Sequence, residues 1–356
     1  MTTRTRNAIA LLACAALLCA AVAAAIRSAP PPADVRSPLQ AVPAQAAFVL
    51  TLELDNLRAS PFSKLLDNPA VGPVELSGDC SRRALQSVRR IALWVPDDAT
   101  TDFGVIAVGS VEASRWIACT HETIASRGGV VATSPADGFT LVSDASQGRE
   151  GPMVAVREGG PVLIGRAVLV HRMIAAVGGR MPSAATEGDH PRMREALGAP
   201  RDATATLLVR PGVRERMRTI AGGDVPITRV TAVAAGLSAA PEAGLRAVVW
   251  CEGSEECSAL AAVVAERRDE LRGSMALRVA GLGSMLDGAR VGTQGNTMLI
   301  ETAASSTQIV EVLQRLSGWG EAPSGADDPL PRQVPRLVLP RPDEVLRASG
   351  GDGGTP

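Results

Sequence analysis

The chain has 356 residues, and its 36 basic and 37 acidic side chains leave a formal net charge of -1. That balance supplies neither a basic field for nucleic acid nor an acidic solvating block. Hydrophobic residues reach 46%, enough for a core, whereas aromatics are 2% with no tyrosine, which argues against a stacked-ring nucleic-acid platform or an aromatic sugar cleft. Lys64 is the only lysine, so the positive charge is nearly all arginine, a bias that reads as a GC-rich genome before it reads as a guanidinium surface.

Arg4 and Arg6 precede an apolar stretch from Ala8 to Ile26, which Arg27 closes. A basic head before a Leu/Ala-rich segment is the export-signal pattern, with Ala21-Val22-Ala23 as a small-residue cleavage site. The stretch also approaches the ~20 residues that span a bilayer as a helix, so residues 1–27 read as a signal peptide or an N-terminal anchor. Leu11-Leu12-Ala13-Cys14 loosely resembles a lipoprotein box and leaves a third route open. All three export the rest of the chain, to the cell envelope or beyond it. The membrane is a partner through residues 8–26 where the stretch stays uncleaved. Residues 28–43 are proline-rich and read as an extended, exposed spacer.

From Ala47 to Leu54 the chain reads as a strand, followed by a helix from Ser60 to Leu66, with Pro61 in the first helical position. A loop carrying Cys80 leads to strands Arg90–Val95 and Phe103–Gly109, a hairpin around Asp97-Asp98. A helical stripe over 111–126 carries Trp116 and Cys119. Three strands follow, Phe139–Val142, Met153–Val156 and Pro161–Gly165, and a helix from Val168 to Val177 is stopped by Gly178-Gly179. After a connector, 181–200, with a short helix from Pro191 to Leu197, the order recurs. Strand Ala205–Val209 and helix Val213–Ile220 lead to strands Val230–Leu237 and Leu245–Cys251. Helix Glu255–Arg272, a further helical segment within Ser274–Gly288, strands Ala289–Thr293 and Met298–Thr302, and helix Thr307–Leu316 complete it.

The expected fold is therefore α+β, two similar halves (44–180 and 201–318) with mostly antiparallel sheets and packed helices, side by side or sharing one sheet. The N-terminal hydrophobic helix precedes them, and a Gly/Pro-rich tail, 319–356, follows with Val334–Leu339 as its short apolar run. Export turns the cysteines toward disulfides. Cys14 and Cys19 belong to the apolar stretch, which leaves Cys80, Cys119, Cys251 and Cys257. Spacing alone allows three pairings, and the repeat selects Cys80–Cys119 and Cys251–Cys257, one pair in each half. The first closes a loop of about 40 residues and stabilises by ~3–4 kcal/mol on the chain-entropy estimate; the second contributes less.

Val42-Pro43-Ala44-Gln45-Ala46-Ala47-Phe48, running into Leu52-Glu53-Leu54-Asp55-Asn56-Leu57, resembles the opening of uncharacterised membrane-anchored or secreted bacterial proteins from GC-rich genomes. In those, such a segment starts a strand directly after the export signal. Gly178 to Leu197 resembles the connector of their duplicated members. The resemblance implies an envelope location and a duplicated α+β body, and brings no activity with it.

Candidate chemistry is sparse. Cys119-Thr120-His121-Glu122 lacks the second imidazole of a zinc-protease helix, because Ala125 stands where it would be. Cys119 and His121, two apart on one helix, point in different directions, so Cys119 reads as bridged and His121 as a surface residue. His171 opens a helix beside Arg172, on its polar side. Asp189-His190-Pro191 starts another helix, where Asp189 is a good N-cap, and no Gly-x-Ser-x-Gly elbow supplies a nucleophile for a triad. Asp97-Asp98 suits a turn, Glu255-Glu256 complements a helix dipole, and Asp327-Asp328 falls in the tail. None of them has calcium-loop spacing. Gly281-Leu-Gly283 lacks the third glycine of a dinucleotide fingerprint, and no phosphate-binding loop contains Lys64. Arg82-Arg83, Arg89-Arg90, Arg214, Arg216, Arg218 and Arg267-Arg268 read as solvated faces. Trp94, Trp116 and Trp250 read as core, and Trp319 as a candidate exposed anchor.

No catalytic, cofactor-binding or metal residue is assigned, and no cofactor is expected. The expectation is a non-enzymatic, exported envelope module that binds or scaffolds a protein or glycan, with no nucleic-acid partner. The alternative is an envelope hydrolase whose site gathers His190, His121 and Asp97. A folding or inhibitory partner of an envelope enzyme is a third reading.

Overall fold

Phe48-Val49-Leu50-Thr51-Leu52-Glu53 is rich in strand-forming residues and makes strand β1 (Phe48–Glu53), with Val49 and Thr51 turned to one side and Leu50 and Leu52 to the other. A computed structural model describes residues 35–66, 79–96, 102–148, 150–221, 226–240, 242–275, 278 and 283–310. The stretch Ala8–Ile26, most of the proline-rich spacer, Asp97-Asp98, Trp319 and the tail 319–356 lie outside them, as do Cys14 and Cys19. The chain divides into two units, Met1–Ser317 and Gly318–Pro356.

After β1 come two short helices, α1 (Leu54–Arg58) and α2 (Ser63–Leu66), and then helix α3 (Asp79–Gln86). Strands β2 (Val88–Val95) and β3 (Gly104–Gly109) precede helix α4 (Ala113–Ser126), and β4 (Val131–Ala136), β5 (Phe139–Asp144), β6 (Pro152–Val156) and β7 (Val162–Arg166) form a meander that ends in helix α5 (Ala167–Val177). The connector carries helix α6 (His190–Glu195). Then follow β8 (Ala203–Leu208), α7 (Pro211–Ala221), β9 (Val230–Ser238), β10 (Glu242–Cys251), α8 (Ser254–Arg272), α9 (Gly283–Gly288), β11 (Arg290–Gln294) and β12 (Thr297–Ser305).

Among the described residues all twelve strands belong to one sheet, in the order β11-β12-β10-β9-β8-β1-β2-β3-β7-β6-β5-β4. Neighbours pair antiparallel throughout. The fold is α+β with a large antiparallel sheet and several packed helices. The halves meet at β1 and β8, where Phe48 faces Leu207, Leu50 faces Ala205 and Leu52 faces Ala203. Outward from that seam the first wing runs β1-β2-β3-β7-β6-β5-β4 and the second β8-β9-β10-β12-β11. In both, a long helix follows the third strand, and the chain returns to pair beside that strand.

Alternation along the strands sorts the side chains to two faces. On face A, Leu52, Ile91, Ala107 and Val162 pack with Leu54 and Leu57 of α1 and with Trp116 and Cys119 of α4. Further along that face Leu207, Val233, Val249, Met298 and Ile300 pack with Cys257 and Leu260 of α8. The spacing of Cys257, Leu260, Ala261 and Val264 is the i, i+3, i+4, i+7 stripe that seats α8 on the sheet. On face B, Val49, Ala92, Trp94, Ile106 and Leu163 pack with Leu169, Val170 and Met173 of α5. The connector covers the rest of that face, with Met193 and Leu197 over Leu208, Ala232, Ala234, Val248 and Trp250.

Four expectations need correction. Residues 35–43 are not an exposed spacer: Val35, Leu39, Ala41 and Val42 are buried in the face B core, and Pro38–Ala41 forms a 3-10 turn. The prolines bend the chain, and the apolar residues between them dock it. Cys80 lies on α3, not in a loop. Helix α1 and edge strand β4 add elements that apolar patterning did not mark, one because it is five residues long, the other because it is a short run of mostly small residues, none of them buried. Asp189 occupies the N-cap position of α6, but its side chain makes no cap hydrogen bond.

Both expected disulfides form. Cys80–Cys119 ties α3 to α4, with Cα atoms 5.6 Å apart, and Cys251–Cys257 ties the end of β10 to the first turn of α8, with Cα atoms 5.5 Å apart. Their sequence separations, 39 and 6, set unequal effects on the unfolded chain. Replacing Cys80 and Cys119 by serine is expected to cost about 4 kcal/mol, and replacing Cys251 and Cys257 about 2 kcal/mol, by loop-closure entropy. Denaturant unfolding of the two double variants checks this, and an inverted order would contradict it.

Candidate functional site

The apolar stripe of helix α8 is seated on the sheet at Cys257 and Leu260. Leu271, which continues that stripe, and Val263, at its border, remain 44% and 43% exposed. Around them stand Ile227, 47% exposed in the 3-10 turn Pro226–Arg229, Leu286 of α9, Val291 of β11 and Ile300 of β12. Together they line an open groove of about 480 Å³ on face A of the second wing. Isolated exposed apolar residues are ordinary, whereas a contiguous set along a concave surface marks an interaction site.

The polar groups at the rim are satisfied among themselves. Arg268 donates from Nε to Asp269 at 2.9 Å and from Nη1 to the Ala289 carbonyl at 3.1 Å. Arg267 pairs with Glu270, and Arg272 donates to Asp287 at 2.9 Å. No partly formed hydrogen-bond set or metal cage accompanies them: among the described residues no group of three or more His, Cys, Asp or Glu side chains gathers. The groove can therefore receive apolar surface, with selectivity set by shape.

The residues singled out for chemistry are scattered. His121, on α4, is half-buried, with Nε2 3.3 Å from Thr133 Oγ1. His171 is exposed on α5. His190 is fully buried on face B. Its Nε2 lies 2.8 Å from the Ala46 carbonyl and its Nδ1 2.8 Å from Thr206 Oγ1. Because α4 packs on face A, the sheet itself separates His121 from His190. Burial is the main cause that pushes the His190 pKa below the ordinary imidazole value. Two further departures are structural. Arg180 donates two hydrogen bonds to Asp137 and holds its carboxyl below the usual range. Asp144 is held low by the Ser146 hydroxyl first, and also by the Val130 backbone N–H, so it pins the base of the β4–β5 hairpin.

Several arginines of the clusters are ion-paired: Arg90 pairs with Glu53, Arg218 with Glu215, and Arg214, 23% exposed, with Glu252, which Arg229 shares. Trp94, Trp116 and Trp250 are buried. What sequence reading missed is the groove. Its local signal in α8 was slight, since Leu271 continues the core stripe and Val263 borders it.

No family model matches the chain, and no curated protein matches it. It is similar to two solved structures of TP0453. With crystal form I it shares 12% identity over 79% of this chain and 98% of that one, with a TM-score of 0.44. With crystal form III it shares 13% identity over 78% and 98%, with a TM-score of 0.46. The two disulfides are those of a chain that folds in an oxidising environment, as exported proteins do. Among the described residues no helix is long and apolar enough to cross a membrane.

Because Val263 and Leu271 are more than two-fifths exposed, Val263→Asp and Leu271→Asp are expected to change stability by less than about 0.5 kcal/mol. The same substitutions are expected to remove the binding of an apolar fluorescent dye to the folded chain. Dye binding that survives both would show that the groove is not the apolar site.

Proposed function

We propose that the protein is an exported, non-enzymatic module of the cell envelope that binds or scaffolds a partner through the α8–α9 groove. The apolar lining of that groove carries the reading. It matches a protein partner that presents a few apolar side chains better than a glycan, whose hydroxyls need hydrogen-bonding groups. Export rests on the basic head and apolar stretch through Ile26, as a cleaved signal or a retained anchor, together with the disulfides.

The two wings also read as copies of one duplicated unit. Three features support this: the matching strand order outward from the seam, the helix that follows the third strand on face A in each wing, and a disulfide bonded to that helix in each. The meander β4–β7 in the first wing against β11–β12 in the second marks where they have diverged. A hydrolase site built from His190 and His121 finds no support, since the two stand on opposite faces of the sheet.

A photo-activated crosslinking residue at position 263 or 227 tests the binding reading in native envelope material. The expected result is one defined adduct from both positions and none from position 122, exposed on α4. No adduct, or the same adducts from all three, would overturn it.

A further inference from the structure

We propose that His190 is an acid-sensitive latch: its neutral ring clamps the connector across the seam between the two wings, and its protonation frees the connector. The ring touches both strands that join the wings. It reaches the carbonyl of Ala46, just before β1, and the hydroxyl of Thr206, inside β8, while its own backbone opens α6.

The hydrogen bonds favour one form of the ring. A carbonyl only accepts, so Nε2–H donates to Ala46, and Nδ1 is left to accept from the Thr206 hydroxyl. A second proton on Nδ1 forces that hydroxyl to turn toward the Val49 carbonyl, 3.4 Å away. It also creates a charge in a side chain with no exposure to water. The charged groups around the ring act in both directions, and burial is the largest cause against the charge. Asp189, on the same helix, favours the charged ring, whereas Arg194 of α6 and Arg210 after β8 oppose it. Glu53 of β1 acts on Arg194.

The rest of the connector's hold is backbone pairing, two arginine hydrogen bonds and packing: Arg201 Nη2 donates to the Leu197 carbonyl at 3.1 Å, and Ala184 is fully buried in the face B core. Ala44 N–H donates to the Pro182 carbonyl and Ala184 N–H to the Val42 carbonyl, at 3.0 and 2.8 Å. Arg194 donates to Thr51 Oγ1 at 2.8 Å, and Met193 and Leu197 pack below. Release therefore uncovers the apolar face B of the second wing, including Trp250, while the strand pairing stays in place.

The sign follows from the buried neutral form. The folded pKa lies below the open-state value of about 6.5, so the latch contributes fully above that pH and weakens as pH falls through it toward the folded pKa. Opening then rises by up to tenfold per pH unit in that window.

Hydrogen exchange of the oxidised full chain at pH 7.5 and 5.5, corrected for intrinsic rates, tests this together with NMR titration of the imidazoles. The expected result is a loss of protection of up to tenfold in residues 183–197 alone, with the His190 ring titrating below 6.5. His190→Gln is expected to remove the pH dependence, and His121→Gln with His171→Gln to retain it. If His190→Gln does not fold, the wild-type measurements decide. Unchanged protection of the connector, or a His190 ring titrating at or above 6.5, would overturn the proposal.

Discussion

The antiparallel pairing of β1 with β8 is the contact on which the rest of the molecule depends. It joins strands more than 150 residues apart in sequence, with Val49 against Thr206 and Thr51 against Thr204. Without it each wing keeps an open inner edge with unpaired N–H and carbonyl groups, which is a liability in any sheet. With it, twelve strands share one ladder and the exposed edges are reduced to β4 and β11. The seam also fixes what lies on either side. The α4 and α8 helices are brought to the same face, and the threonines of the seam are turned to the other, beneath the connector.

Those threonines explain the chemistry of the connector. Thr51, Thr204 and Thr206 are buried, so their hydroxyls need partners. Thr51 and Thr206 find them in Arg194 and His190, both from α6. Burying an arginine and a histidine is costly unless they are hydrogen-bonded, and here each is bonded to the seam it covers. The histidine that sequence alone offers as a catalytic candidate is thus occupied in hydrogen bonds to Thr206 and Ala46.

Much of the fold was legible because alternation and helical stripes are local. The strands, the long helix α8 and the tryptophans in the core follow from runs such as Val248-Val249-Trp250. The disulfide pairs became legible once the repeated order divided the cysteines between halves. Other features depend on partners distant in the chain. Val35, Leu39 and Val42 look like spacer until face B exists to bury them. His190 finds its partners 144 and 16 residues away, so its neighbours in sequence say little about its role. Strand β4 buries none of its residues and carries Pro135, as suits an edge. Its one local signal was the Asp137-Gly138 turn, where both residues take positive φ. The groove draws on residues from 226 to 300, and α8 by itself did not announce it.

The seam claim is open to one direct measurement, native-state hydrogen exchange through a denaturant series, resolved to single amides. If β1 and β8 join the wings into one cooperative body, their paired amides exchange only with global unfolding, and the protected amides of β3 and β10 report the same free energy. A second wing that opens first, releasing the β1–β8 amides while β2, β3 and β7 stay protected, would contradict the account.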